Sequence, residues 1–218
     1  LMLALPLFVF TPITYSATNV TGHHLVIDPG HGGSDPGSTA CVGLLESDAN
    51  LDIARRLRGL LVADGATVYL TRDGDISLSN NDRYSLANLT DGEVLVSVHL
   101  NGSTDPNVNG TLGLYGKKSK DFSFTNVLHR RLASELSVPD LGITNFASGV
   151  FLKTNMPATI SESVFISNVV ECAVLRNGGG ARQQEIAQSL YNGLSDWFGE
   201  SSGGGGSGNG HGGGKPQH

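Results

Sequence analysis

HLVIDPGHGG, residues His24 to Gly33, is a short apolar run stopped by Pro29 and Gly30, with His31 set among glycines. Such a run reads as a buried strand ending in a tight turn, and it places Asp28 at the junction. From Glu46 the period changes: Ala49, Ile53, Leu57 and Leu60 or Leu61 recur three or four residues apart until Gly65, the pattern of an amphipathic helix. Outward from this unit the alternation repeats. TVYLT (Thr67 to Thr71) reads as a strand, a short helix is expected around Asp82 to Asn88, and EVLVSVHLN (Glu93 to Asn101) reads as a strand again. Gly110 to Tyr115 is a further strand, and Phe124, Leu128, Leu132 and Leu136 make a helical stripe. GVFLK from Gly149 and ATISESVFI from Ala158 read as two more strands, and Ala181 to Phe198 as a closing helix. This order predicts a single α/β domain with a mostly parallel or mixed central sheet and helices on both faces. Ligand sites in such sheets gather at the carboxyl ends of the strands, where His31, His99 and the segment around Glu162 would fall.

The remainder of the chain bounds its habitat. With 218 residues, a formal charge of -6, 16% charged and 39% hydrophobic residues, it is a mildly acidic globular protein of one core. An acidic protein repels a phosphate backbone, and the clusters Lys117, Lys118, Lys120 and Arg130, Arg131 are short, so they read as solvated faces and no nucleic-acid partner is expected. Residues 1–18 open with the uncharged run LMLALPLFVF and continue into small residues, which reads as an export signal. A buried first strand is the alternative. The run is shorter than the roughly 20 apolar residues needed to span a bilayer, so no stable membrane insertion is expected after signal cleavage. The positively charged start is missing and the first residue is Leu1, so the signal is expected to be truncated at its beginning. The folded domain is expected over 22–199 and a disordered, glycine-rich tail over 200–218. Cys41 and Cys172 are the two cysteines; an exported protein would allow a disulfide between them, and free thiols remain equally open.

His31, Glu46 and His99 stand where strands end or a helix begins. Two imidazoles and a carboxylate suit zinc, which in catalytic sites commonly takes three protein ligands and keeps a fourth position for water. No compact motif ties two of them to one helix face, so residue type and spacing alone favour hydrogen-bonded histidines over metal ligands. Asp28, Asn50 and Asn101 are candidates to orient the imidazoles, with a turn-forming role the alternative for Asp28.

Taken together, VIDPGHGGSDPGS (from Val26), LLESDANLDIARRL (from Leu44), YLTRDGD (from Tyr69), NNDRYSLAN (from Asn80), LVSVHLNG (from Leu95) and NMPATISESVFISN (from Asn155) resemble, in this order, the zinc-dependent N-acetylmuramoyl-L-alanine amidases of the Amidase_3 type. The resemblance covers nearly all of the globular part. It implies that His31, Glu46 and His99 bind Zn2+ and that Glu162 is the catalytic carboxylate. It also implies a peptidoglycan substrate, a glycan strand with its stem peptide, and a secreted or periplasmic, cell-wall-associated enzyme, expected to be a monomer. The chain departs from the family pattern at Ser47, where lysine is usual, and in the polar surroundings of Glu162. Glu171, the other nearby carboxylate, is expected to be a surface or helix-cap residue, with the role of base as the alternative. A zinc peptidase cutting within the stem peptide, and an inactive cell-wall binding module, are the competing readings of the same fold.

Overall fold

The structure, a computed structural model, describes residues 18–203, so the expected export segment and most of the expected tail lie outside the described residues. Its centre is a six-stranded sheet in the order β2-β1-β3-β6-β4-β5. The strands are β1 (His24–Pro29), β2 (Thr67–Leu70), β3 (Val94–Asn101), β4 (Thr111–Tyr115), β5 (Asp140–Asn145) and β6 (Ala158–Phe165). β2, β1, β3 and β6 run parallel, β4 is antiparallel to β6, and β5 is parallel to β4. The expected mixed sheet is therefore present.

The helices are α1 (Glu46–Ala63), α2 (Asn80–Asn88), α3 (Lys118–Glu135), α4 (Gly149–Lys153), α5 (Val169–Asn177) and α6 (Ala181–Gly203). Side chains alternate across each strand, and the alternation sorts the core into two parts. Leu25 and Ile27 of β1 and Val94, Val96 and Val98 of β3 pack with Ile53 and Leu57 of α1, Phe124 and Leu128 of α3 and Leu190 of α6. On the other face Val26, Leu95, Ala158 and Ile160 meet Ala87 of α2 and Val150 and Phe151 of α4. α1 begins with Glu46 and Asp48 in its first turn, where the helix dipole favours negative charge. At α2 the side chains of Ser79 and Asp82 satisfy each other's backbone N–H groups in a capping box.

Four parts of the sequence reading need correction. GVFLK is the short helix α4, not a strand: Ser148 caps it by accepting from Val150 N, and its apolar run buries Val150 and Phe151. A short apolar run has no period long enough to separate a buried helical turn from a strand. The pattern also missed β5, an edge strand whose largely exposed residues show no apolar face, and α5, which Asn168 caps after the turn at Ser167. α6 continues through Gly203, past the expected boundary at 199.

The cysteine question resolves to a bond. Cys41, on the loop that leads into α1, is joined to Cys172 of α5. It links segments 131 residues apart in sequence, each of them adjoining a stretch that carries a candidate site residue.

Candidate active site

The open end of the α2/α4 face holds the chemistry. Along β1 the inward series runs from Val26 to Asp28, along β3 from Leu95 through Ser97 to His99, and along β6 from Ala158 and Ile160 to Glu162. Apolar side chains thus give way to polar ones where the helical cover stops. Asp28, His31, Ser97, His99, Leu112, Phe146 and Glu162 are among the residues lining a cleft of about 550 Å³ there.

His31, Glu46 and His99 come together, with ligand atoms all within 4.8 Å of one another. Each arrives from a different element: the loop after β1, the first turn of α1 and the end of β3. His31 Nε2 lies 3.1 Å from Glu46 Oε1, and His99 Nδ1 lies 3.3 Å from the same oxygen. Glu46 is buried and further fixed by N–H groups of Ser38, at 2.8 Å, and Leu100, at 3.2 Å, and by the Asn50 amide at 3.2 Å. Burial alone would raise the Glu46 pKa; hydrogen bonds from His31 and His99 outweigh it and hold the carboxylate ionised, far below its usual range. The hydrogen bond to Glu46 in turn pushes His31 up to about 9 against the opposing effect of burial. The cluster therefore favours positive charge at its centre. Two imidazole nitrogens and a carboxylate oxygen, converging with that preference, fit a divalent cation of borderline softness.

Local backbone geometry makes the convergence possible. His31 has φ 59°, a left-handed conformation uncommon outside glycine, which turns its ring back over the sheet. Gly30 leaves room for the other ligand, since a Cβ there would come within 2.2 Å of His99 Nε2. Gly37, at φ 65°, passes so close that a Cβ would meet both Glu46 Oε2 and the His31 ring at 2.6 Å.

The orienting groups differ in part from those expected. Asn50 does hold Glu46, but Asp28 meets neither imidazole: its buried carboxylate accepts from Thr71, Ser97 and Arg83. Burial would raise its pKa, and the Arg83 charge with these hydrogen bonds brings it below the ordinary value. Asn101 accepts from the N–H of Gly102 and lines the cleft. The carboxylate against His31 Nδ1 is Asp35, at 2.9 Å, which the sequence reading missed. Its signal was the spacing of four residues within GHGGSD, read only as a turn.

Glu162 pairs in register with His99 on the adjacent strand, so its side chain emerges on the same face beside the cluster. The ladder is irregular just beyond, between His99 and Asn101, as is common next to sites where a side chain must be aimed. Its Oε2 is buried with no hydrogen-bond partner. Burial raises the Glu162 pKa, the electrostatic influence of the neighbouring His99 and His31 opposes this, and Glu46 adds to it. Glu171, by contrast, is neither a surface group nor in the cleft. It is buried in the first turn of α5 and ion-paired with Arg182 at 2.8 Å, while Asn168 supplies the cap.

Residues 25–196 match the Amidase_3 family, described as N-acetylmuramoyl-L-alanine amidase. The chain belongs to this family. Among solved structures, the catalytic domain of CwlV, an N-acetylmuramoyl-L-alanine amidase from Bacillus (Paenibacillus) polymyxa var. colistinus, superposes with a TM-score of 0.76 at 31% identity, over 81% of this chain and 98% of that one. An N-acetylmuramoyl-L-alanine amidase from Clostridium difficile 630 gives 0.76 at 31% identity, over 83% and 98%. The N-acetylmuramoyl-L-alanine amidase LytC of Bacillus subtilis is 29% identical over 82% of this chain and 36% of its own length. The chain thus spans well under two thirds of LytC, and 61% of the probable cell wall amidase LytH of Staphylococcus epidermidis.

Proposed function

We propose that this Amidase_3 chain is a zinc-dependent N-acetylmuramoyl-L-alanine amidase that hydrolyses the amide between N-acetylmuramic acid and L-alanine in peptidoglycan. The observation that carries the reading is the convergence of His31, Glu46 and His99 on one point of the cleft with Glu162 beside it. His31, Glu46 and His99 would hold the zinc. When bound, the ion supplies Lewis acidity toward a carbonyl and makes water acidic enough to give up a proton near neutral pH.

The chain's own residues do the rest. Glu162, with Oε2 unpartnered, takes the proton of the attacking water and passes it to the departing nitrogen. The lactyl group of the sugar is left as a carboxylate and the stem peptide gains a free amino terminus. A raised carboxyl pKa suits a group that must both accept and return a proton. Asp35 and Asn50 keep His31 and Glu46 in place, and the wall of Leu112, Leu114, Ile160 and Phe146 gives the substrate an apolar bed. The Cys41–Cys172 bond agrees with an oxidising location outside the cytoplasm.

Digestion of purified peptidoglycan by the zinc-loaded protein, with products identified by mass spectrometry, tests the reading. Soluble stem peptides beginning in L-alanine are expected. Peptides cut within the stem would replace the amidase with a zinc peptidase, and absence of any product from a zinc-loaded protein would favour a wall-binding module.

A further inference from the structure

Two buried arginines stand behind the ligand-bearing loop, and the chemistry above uses neither. Arg72, which follows β2, donates from Nε to Pro29 O at 2.9 Å and from Nη2 to Gly30 O at 2.8 Å and Ser47 O at 2.9 Å; its Nη1 reaches Gly74 O at 3.0 Å. Arg83 of α2 donates from Nη1 to Pro29 O and Asp28 Oδ1, both at 2.8 Å, and from Nη2 to His31 O at 2.8 Å. The carbonyls of residues 29, 30 and 31 are thus all taken by guanidinium groups. Arg72 is 2% and Arg83 5% exposed. Burying two neighbouring cations with Asp28 as the carboxylate bonded to one of them is costly, and each depends on filling its hydrogen bonds.

The two differ in reach. The contacts of Arg83 stay with the segment of Asp28, Pro29 and His31, where they hold His31 in its left-handed backbone conformation. Arg72 also bonds Ser47 O, the carbonyl next to Glu46, and so joins the loop that carries one imidazole to the helical turn that carries the carboxylate. A lysine could not copy this, because its donors diverge from a single atom whereas the planar fork of arginine meets acceptors on separate segments.

We propose that Arg72 is a positioning residue of the metal centre, a clamp that fixes His31 relative to Glu46 through the backbone of both segments. The inference rests on the reading that His31, Glu46 and His99 hold zinc. Groups that orient metal ligands typically contribute a factor of about 10 to 100 in metal affinity. Because linkage is reciprocal, a clamp that favours zinc must itself be held more firmly when zinc is bound.

The test measures zinc affinity by chelator competition for the full chain, for Arg72→Lys and for Arg83→Lys, with thermal unfolding of each in metal-free and zinc-loaded form. Arg72→Lys is expected to weaken zinc binding by about 10- to 100-fold, to shrink the zinc-induced rise in Tm and to alter the visible spectrum of the cobalt-substituted protein. Arg83→Lys, which leaves the link to Ser47 intact, is expected to do so less. A general packing role would lower Tm equally with and without metal. Arg72→Lys with wild-type zinc affinity and an unchanged cobalt spectrum overturns the clamp. Should that variant not fold, hydrogen exchange at Arg72 Nε in the unmutated protein decides: slowing by zinc is expected, and exchange indifferent to zinc overturns the proposal. Zinc binding that survives Glu46→Gln unchanged would overturn the underlying metal-site reading instead, and the clamp with it.

Discussion

The sheet's two faces are finished differently. One is covered by α1, α3, α5 and α6, and its strand residues Val94, Val96, Val98 and Leu100 stay apolar to the end of β3. The other is covered by α2 and the short α4, and on it β3 passes from Leu95 to Ser97 and His99. The covered face repays its residues in stability alone. The half-covered face leaves strand ends open, and there a buried carboxylate, two imidazoles and an unpartnered Glu162 oxygen are tolerated because each can serve a ligand or a proton. The same strands thus build a core with one set of alternate residues and line the candidate site with the other.

Substitutions should separate the two. The largest effect is expected from Glu162→Gln on the open face, with loss of about 100- to 10,000-fold in amide hydrolysis and unchanged zinc content, read by product assay and metal analysis of one preparation. Leu57→Ala on the covered face should cost about 2 to 5 kcal/mol in urea unfolding, with zinc affinity retained if the two faces are independent. Replacing Cys41 and Cys172 together by serine should remove about 2 to 4 kcal/mol, again by urea unfolding, because an unbridged unfolded chain gains freedom.

A subtler effect has the opposite sign. Glu162 has its pKa raised by burial, so the unfolded chain, near pKa 4.3 or about that, gives up this proton first as pH rises. The contribution of Glu162 to stability is therefore full below that value and lost as pH climbs through the folded pKa. Metal-free Glu162→Gln should unfold at a higher temperature than wild type near neutral pH, and the difference should close below about pH 4. The smallest effect is expected at the cleft rim: Phe146→Ala, half exposed, should change stability by no more than about 0.5 kcal/mol while raising KM for peptidoglycan fragments.

The covered face was the more legible in sequence, because long apolar periods such as Ala49, Ile53 and Leu57 admit one reading. α4 was misread since Val150 to Leu152 is too short to show a period, and β5 was missed since an exposed edge strand such as Asp140 to Asn145 carries little apolar signal. In the site, His31, Glu46, His99 and Glu162 were all named in advance through the family motifs, and the structure brings them together. Asp35 was missed, and Asp28, offered either as an orienting group or as a turn former, bonds Thr71, Ser97 and Arg83 instead, because hydrogen bonds between side chain and loop depend on backbone turns, here the left-handed His31, that residue identity does not announce. Arg72 and Arg83 were visible within their motifs, yet their partners are main-chain carbonyls, which leave no trace in sequence.

The most direct test of the division between faces is anomalous diffraction at the zinc edge from crystals of the zinc-loaded protein. A single strong peak bounded by His31, Glu46 and His99, with Glu162 facing it across the cleft, is the predicted result; a zinc peak elsewhere, or none in that cluster, would contradict the account.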